Sequence, residues 1–435
     1  MNQAETKTPF FLKDNFAPVF EELSDNELPV VGNIPPELNG RLLRNGPNPQ
    51  TGQSPHWFLG NGMIHGVEFE NGKAVWYRNR YVRTPLYADP ECDPIAALME
   101  LDKSAANTHV IHHAGKILAL EEAHIPFELS TDLSTLGPYD FDGKLQTPVT
   151  AHPKVCSITG ELLFFAYGIF PPYLTYHRVS ADGELVQTEN ISVPKGTMMH
   201  DFNITENFVI WMDLPAVWDM DNTDTIDKGG LPLIWDENYG ARLGVMPRTG
   251  GNDDVVWYDI NPCYVYHPLN AYEEDGKIVI DVCRKANLEA DAQLYRWVID
   301  QADGTVLERQ IDERSIEFPR VCDSLVGAKH RYGYVAGLAG SVPYGERYIK
   351  FDFSDMSSVA AELGEGREGS EAVFIKDPKG SSEDSGWLMA YVYDNATDKS
   401  EIIILDAATM ADEPIARIML PARVPMGFHG SWVPF

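Results

Sequence analysis

The sequence predicts an all-β protein, and three features carry that expectation. Short runs rich in β-branched and aromatic residues recur along the whole chain: Ala74–Tyr81, Lys116–Leu120, Leu162–Ala166, Phe208–Met212, Lys277–Val282, Tyr332–Ala336, Trp387–Tyr393 and Glu401–Leu405. Such residues suit a pleated, half-buried surface. Turn signals punctuate the runs, at Asn71-Gly72, Asp182-Gly183, Asp275-Gly276 and Asp303-Gly304. Asn-Gly and Asp-Gly pairs favour the positive φ that a two-residue hairpin needs. Helical periodicity is scarce. Its best stretch, Pro94–Leu101, is short and reads as a loop insertion.

The 35 glycines and 30 prolines supply abundant turn chemistry without low complexity. No Ser/Gly linker divides the chain; Gly364–Ser370 and Lys379–Ser385 read as short surface loops. Neither a strict repeat nor a Gly-His…Trp-Asp blade signature is present. Many short strands spread evenly over residues 1–435, with no linker, favour a single closed propeller domain over a string of sandwiches.

A formal net charge of −31 argues against nucleic acid and anionic membrane surfaces as partners. No stretch approaches the roughly 18 consecutive apolar residues of a spanning helix. Met1–Lys13 is polar and lacks the apolar segment of a secretion signal. The five cysteines (Cys92, Cys156, Cys263, Cys283, Cys322) are scattered and contain no C-x-x-C, as expected of reduced thiols in a cytoplasmic protein.

Of the twelve histidines, His56, His65, His109, His112, His113, His124 and His177 read as solvated or core-satisfied rings. Four others have distinctive settings. His152 lies in Thr-Ala-His-Pro, His200 in Met-Met-His-Asp-Phe, His267 in Tyr-His-Pro-Leu-Asn, and His429 between Gly427-Phe428 and Gly430. Their separation excludes local metal motifs such as H-E-x-x-H. If they converge, each must come from a different part of a closed architecture, and a propeller axis is the natural place. Imidazole suits Zn, Cu, Fe and Ni, so ligand type alone leaves the metal open.

Nearly the whole chain resembles the carotenoid cleavage oxygenase family, which includes apocarotenoid and lignostilbene dioxygenases. The resemblance starts at Gly40-Arg41-Leu42-Leu43-Arg44-Asn45-Gly46-Pro47-Asn48-Pro49 and at the run from His56 to Gly66. It continues through Thr150–Lys154, Met199–Phe202, His267–Glu273, Glu317–Arg320 and His330–Tyr334, and closes with Gly427–Pro434. The resemblance implies a seven-bladed β-propeller whose loops and short helices form a dome over an axial iron. One Fe(II) per chain would be held by His152, His200, His267 and His429. It also implies three glutamates behind the histidines: Glu122 after Leu118–Glu121, Glu317 in Glu-Phe-Pro-Arg, and Glu371 in Glu-Ala-Val-Phe where the family has Glu-Pro-Val-Phe. Outer carboxylates of this kind orient and charge-balance metal-bound imidazoles. Thr108 matches a threonine whose methyl crowds one vacant iron position, leaving a single site for dioxygen.

The implied reaction is cleavage of a conjugated C=C bond by O2 into two carbonyl compounds, with an apocarotenoid or carotenoid as substrate. A polyene offers almost nothing to hydrogen-bond, so an apolar tunnel is expected, with Trp57, Phe58, Phe165, Phe170, Tyr173, Trp218, Trp235 and Phe428 as candidate walls. Cleavage of a stilbenoid or phenylpropene is the alternative. There the family carries a Lys just before the first glutamate, whereas this chain has Glu121, which would repel a phenolate. Double-bond isomerisation and non-catalytic polyene binding are the further readings. Pro85–Met99, with Leu86, Tyr87, Ile95 and Leu98, is at most a modest membrane-docking patch, so any membrane contact is expected to be weak and peripheral. No feature of the sequence points to a particular oligomeric state.

Overall fold

The computed structural model describes residues 8–221, 230–338 and 343–435; the side chains of Pro94 and Ile95 lie outside that set. Consecutive antiparallel meanders dominate. Four-stranded sheets form in chain order from His109–His113 to Thr135–Pro138, from Lys154–Val155 to Leu185–Asn190, from Asn203–Ile204 to Val256–Asp259, and from Tyr264–Glu274 to Thr305–Gln310. A ten-stranded sheet follows, running from Ile316–Arg320 to Ala416–Met419, with Val30–Gly32 added at its far edge. A five-stranded sheet unites the two ends of the chain. Gly430–Pro434 pairs with Gly40–Arg44, which continues through Gly62–Glu70 and Lys73–Tyr81 to Ser24–Asp25.

The turn chemistry explains the register. Asn71-Gly72 and Asp275-Gly276 both take positive φ at both positions, the two-residue geometry that matches strand twist. They join Glu70 to Lys73 and Glu274 to Lys277 with no residue to spare. The eight strands read from the sequence all form, several extended by a residue or more at an end. Among the described residues the α-helices are single turns, Pro85–Ala88 and Pro94–Ala97, the second shorter than the expected Pro94–Leu101. One loop expectation fails. Within Gly364–Ser370, Arg367–Gly369 pairs with Val392–Asp394 as a strand, and Gly369 and Ser370 are buried.

Core clusters sit between neighbouring sheets. Phe165, Tyr176, Phe202 and Trp211 interlock one successive pair, and Ile210, Leu243, Ile280 and Trp297 the next. Each large aromatic buried this way contributes several kcal/mol at about 25 cal/mol per Å2. The first strands of successive sheets also touch one another: Asn203–Ile204 against Tyr264–Glu274, Tyr264–Glu274 against Ile316–Arg320, and Gly430–Pro434 against His109–His113. Residues at the starts of those strands are therefore brought together at the centre of a propeller-like, nearly all-β fold.

Candidate metal centre

That centre holds four imidazoles. His152 and His200 lie just before the first strands of their sheets, His267 lies within one, and His429 directly precedes Gly430–Pro434. One ring nitrogen from each falls within 4.8 Å of the other three, and all four side chains are buried or nearly so. Nε2 of His152 lies 3.0 Å from Nε2 of His200, which lies 3.2 Å from Nε2 of His267. Two imidazole nitrogens bound at right angles to one ion, each about 2.1 Å from it, would be about 3 Å apart.

The outer nitrogens explain why those inner atoms are lone pairs. Nδ1 of His267 donates to Oε2 of Glu317 at 2.6 Å, and Nδ1 of His429 to Oε1 of Glu371 at 3.2 Å. Glu122 Oε1 closes on Nδ1 of His200 as an ion-pair contact, off the line of an ideal hydrogen bond, while its Oε2 accepts from the Tyr167 hydroxyl. Asp201 Oδ2 stands 3.6 Å from Nδ1 of His152. With the outer nitrogens facing carboxylates, the inner nitrogens of buried rings point at one another, an arrangement that a shared cation makes favourable. The residues fit a metal ion.

Electrostatics agree with neutral imidazoles at two positions. Burial, reinforced by the neighbouring imidazoles, pushes His152 well below the ordinary value. Burial likewise lowers His429 to about 4 despite the opposing Glu371 charge. His267 goes the other way: burial lowers it, but the charge and hydrogen bond of Glu317 outweigh burial and raise it. Burial would raise Glu371, yet Arg320 and His429 hold its carboxyl well below the usual range.

Backbone geometry places these groups. Phe318 takes φ +55°, and the pairing of Ile316–Arg320 slips between Glu317 and Arg320, a bulge that turns Glu317 towards His267. Glu371 also accepts from the Gly430 N–H at 2.9 Å, so one carboxylate fixes both the His429 ring and the backbone beyond it. The glycines beside His429 serve close packing: a Cβ on Gly427 would lie 2.7 Å from the Asn45 carbonyl oxygen, and one on Gly430 2.7 Å from that of Leu43. Asn45 accepts from the Phe428 N–H and donates its own N–H to the His429 carbonyl, each at 3.0 Å. The Thr108 carbonyl accepts from the His429 N–H at 3.1 Å, and its hydroxyl donates to Asn107 Oδ1 at 2.9 Å.

Some participants escaped the sequence reading. Asp201 was hidden by its position next to His200, because its partner His152 belongs to the preceding sheet. Lys154 holds Asp201 at 2.8 Å, and Arg320 lies 3.9 Å from Glu371. His109 is buried, with Nδ1 2.8 Å from the Ala151 carbonyl oxygen and its ring 5.4 Å from that of His429. Tyr266 and Phe318 also pack within 6 Å of rings of the histidine cluster.

Two unlike environments meet at the cluster. A cavity of about 410 Å3 reaches His152, His267 and His429 past polar groups that include Lys154, Asp201, Asn270 and Arg320. Aromatic residues flank the histidines elsewhere: Phe428, next to His429 in the chain, packs on Trp57 at 4.7 Å and Phe58 at 5.6 Å. Tyr167, Trp218, Trp235 and Tyr266 are half-buried beside the same core cluster as Phe58. Phe165 is no tunnel wall; it is fully buried against Phe202 and Trp211. Phe170 is 57% exposed.

Comparison with known proteins decides the family. The family model described as "Retinal pigment epithelial membrane protein" matches residues 16–434. A Mycobacterium tuberculosis protein named carotenoid cleavage oxygenase is 38% identical over 99% of this chain and 98% of its own length. The chain belongs to the carotenoid cleavage oxygenase family. A Crocus sativus member, carotenoid 9,10(9',10')-cleavage dioxygenase, is 35% identical over 99% of this chain and 90% of its own length. Among solved structures, Pseudomonas brassicacearum lignostilbene dioxygenase superposes with a TM-score of 0.88 at 28% identity, covering 98% of this chain and 99% of that one. Cobalt-substituted Synechocystis apocarotenoid oxygenase does so with a TM-score of 0.85 at 25% identity, covering 96% and 97%. No helix among the described residues is long and apolar enough to cross a membrane.

Proposed function

We propose that this protein is a non-haem iron dioxygenase that cleaves a conjugated C=C bond of an apocarotenoid or carotenoid with O2, giving two carbonyl products. The observation that carries the reading is the convergence of His152, His200, His267 and His429, three of them backed by Glu122, Glu317 and Glu371, in a chain of this family. Four imidazoles fit several metals, including the cobalt of the substituted relative; the family's oxygenase chemistry selects Fe(II). His152, His200, His267 and His429 would hold a ferrous ion, which would supply the activation of dioxygen. The chain's own residues would orient the imidazoles and confine the alkene between aromatic walls at Phe58, Trp57 and Phe428. Thr108, whose hydroxyl donates to Asn107 and whose carbonyl accepts from the His429 N–H, is our candidate for restricting access beside His429.

A stilbenoid substrate is the second reading, favoured by the superposition on lignostilbene dioxygenase. Glu121, which stands where a phenol-binding Lys would be expected, is turned inward: its carboxylate binds the His124 ring and accepts from Ser104. That leaves no free charge there for a phenol, so the apocarotenoid reading stands first.

Seven blades are supported by seven of the eight hydrophobic clusters among the described residues, six shared by neighbouring sheets and one inside the ten-stranded sheet; the eighth, Leu86, Ala97 and Ala105, lies under the short helices. Dividing that sheet at Arg367–Gly369 completes the ring as a single domain. Five free cysteines, four of them buried, suit a cytoplasmic setting. Leu98 and Met99, the latter 71% exposed, suit weak peripheral membrane contact.

Protein reconstituted anaerobically with Fe(II) and assayed in air beside an apocarotenal and a 4-hydroxystilbene tests the reading. Aldehyde products from the apocarotenal are expected, and His200→Ala should abolish them with the fold unchanged. No aldehyde from either substrate, with the polyene still bound, would instead mark a non-catalytic binder.

A further inference from the structure

The four carboxylates around the cluster are not equivalent. Glu122 and Glu317, behind His200 and His267, have no side-chain cation paired with them among the described residues; Glu122 takes the neutral Tyr167 hydroxyl instead. Lys285 feels Glu317 only from beyond ion-pair reach. Behind His152 and His429 the carboxylates are backed by cations. Lys154 Nζ lies 2.8 Å from Oδ1 and 3.0 Å from Oδ2 of Asp201, and Arg320 Nε lies 3.9 Å from Glu371 Oε1. Asp201 is 2% exposed, so this charge is felt at the cluster with little screening. Asp323, the other acid near Arg320, lines the cavity that reaches the cluster, and burial raises its carboxyl despite that cation, so it carries less charge than a free carboxylate would.

Four carboxylates against two cations leave two negative charges, which offset one divalent ion held by neutral imidazoles. A trivalent ion in the same shell would leave a net positive charge in a low-dielectric interior, which is costly. We propose that Lys154, through Asp201, and Arg320, through Glu371, set the charge of this shell so that it holds iron in the ferrous state, with Asp201 the positioning carboxylate of His152. The inference rests on iron occupying the cluster, as the proposed function holds.

The test is a mediated redox titration of the iron-loaded protein, followed by electron paramagnetic resonance of the ferric form. In Lys154→Met the ferric-to-ferrous ratio at a fixed potential should rise at least tenfold, about 59 mV for one electron. Asp201→Asn should move the ratio the opposite way. The double variant Lys154→Met/Asp201→Asn should return close to the unmodified protein, and Lys154→Arg should leave the ratio unchanged. A purely structural role for the pair predicts no such reversal of sign. Iron bound normally with the ratio unmoved in both single variants, or moved in the same direction, overturns the inference alone. If Lys154→Met fails to retain iron, recovery of iron in the double variant supports the charge argument, and loss in both overturns it. Failure of the unmodified protein to take up iron overturns the iron reading and this inference with it.

Discussion

His267 and His429 reach the same point by opposite routes. His267 rides on Tyr264–Glu274, which folds back on its neighbour through the two-residue Asp275-Gly276 turn. His429 sits beside Gly430–Pro434, whose partner Gly40–Arg44 lies near the other end of the sequence. Closing a short hairpin costs little entropy, while a long-range pairing forms only after most of the ring is in place. The first imidazole is positioned by its own meander. The second depends on the closure of the whole molecule.

Removing residues 428–435 should have the largest effect. It takes away His429 and uncovers the edge of Gly40–Pro47, so metal analysis should find no bound iron and thermal melting should shift markedly downward. Activity surviving that deletion would sink the site assignment. Glu371→Gln comes next, because this carboxylate ties the His429 ring to the Gly430 N–H of the closing strand and faces Arg320 as well. Competition with a chelator should show a loss of iron affinity beyond that of Glu317→Gln. The latter touches His267 and its neighbouring Phe318 N–H alone, and should weaken iron retention roughly 10- to 100-fold. Equal losses would remove the distinction between the two routes. Smallest is Gly276→Ala: the site has open space around it but φ +76°, so about 1–2 kcal/mol of stability should be lost with iron content unchanged.

The locally closed parts were legible in sequence for a physical reason. Asn71-Gly72 and Asp275-Gly276 carry their turn conformation locally, and the runs they join are rich in the β-branched and aromatic residues that suit a sheet. The four histidines, by contrast, emerged from their motif settings, since no spacing rule reports convergence from four distant segments. Asp201 was not legible: adjacent to His200, it serves His152 across a sheet boundary. Arg367–Gly369 was read as loop because Gly364, Gly366 and Gly369 suggest turns, yet Gly369 is small for another reason. A Cβ there would lie 2.5 Å from the Tyr348 hydroxyl. Gly427 and Gly430 likewise permit close backbone contact beside His429.

One adjacency has a thermodynamic corollary. Phe428 packs on Trp57 and Phe58 and His429 belongs to the histidine cluster, and a single peptide unit joins them. A hydrophobic guest that shifts Phe428 shifts the same backbone that carries the imidazole. Occupancy of one compartment is then linked to occupancy of the other, and by reciprocity whatever factor the guest applies to ion affinity, the ion applies to the guest.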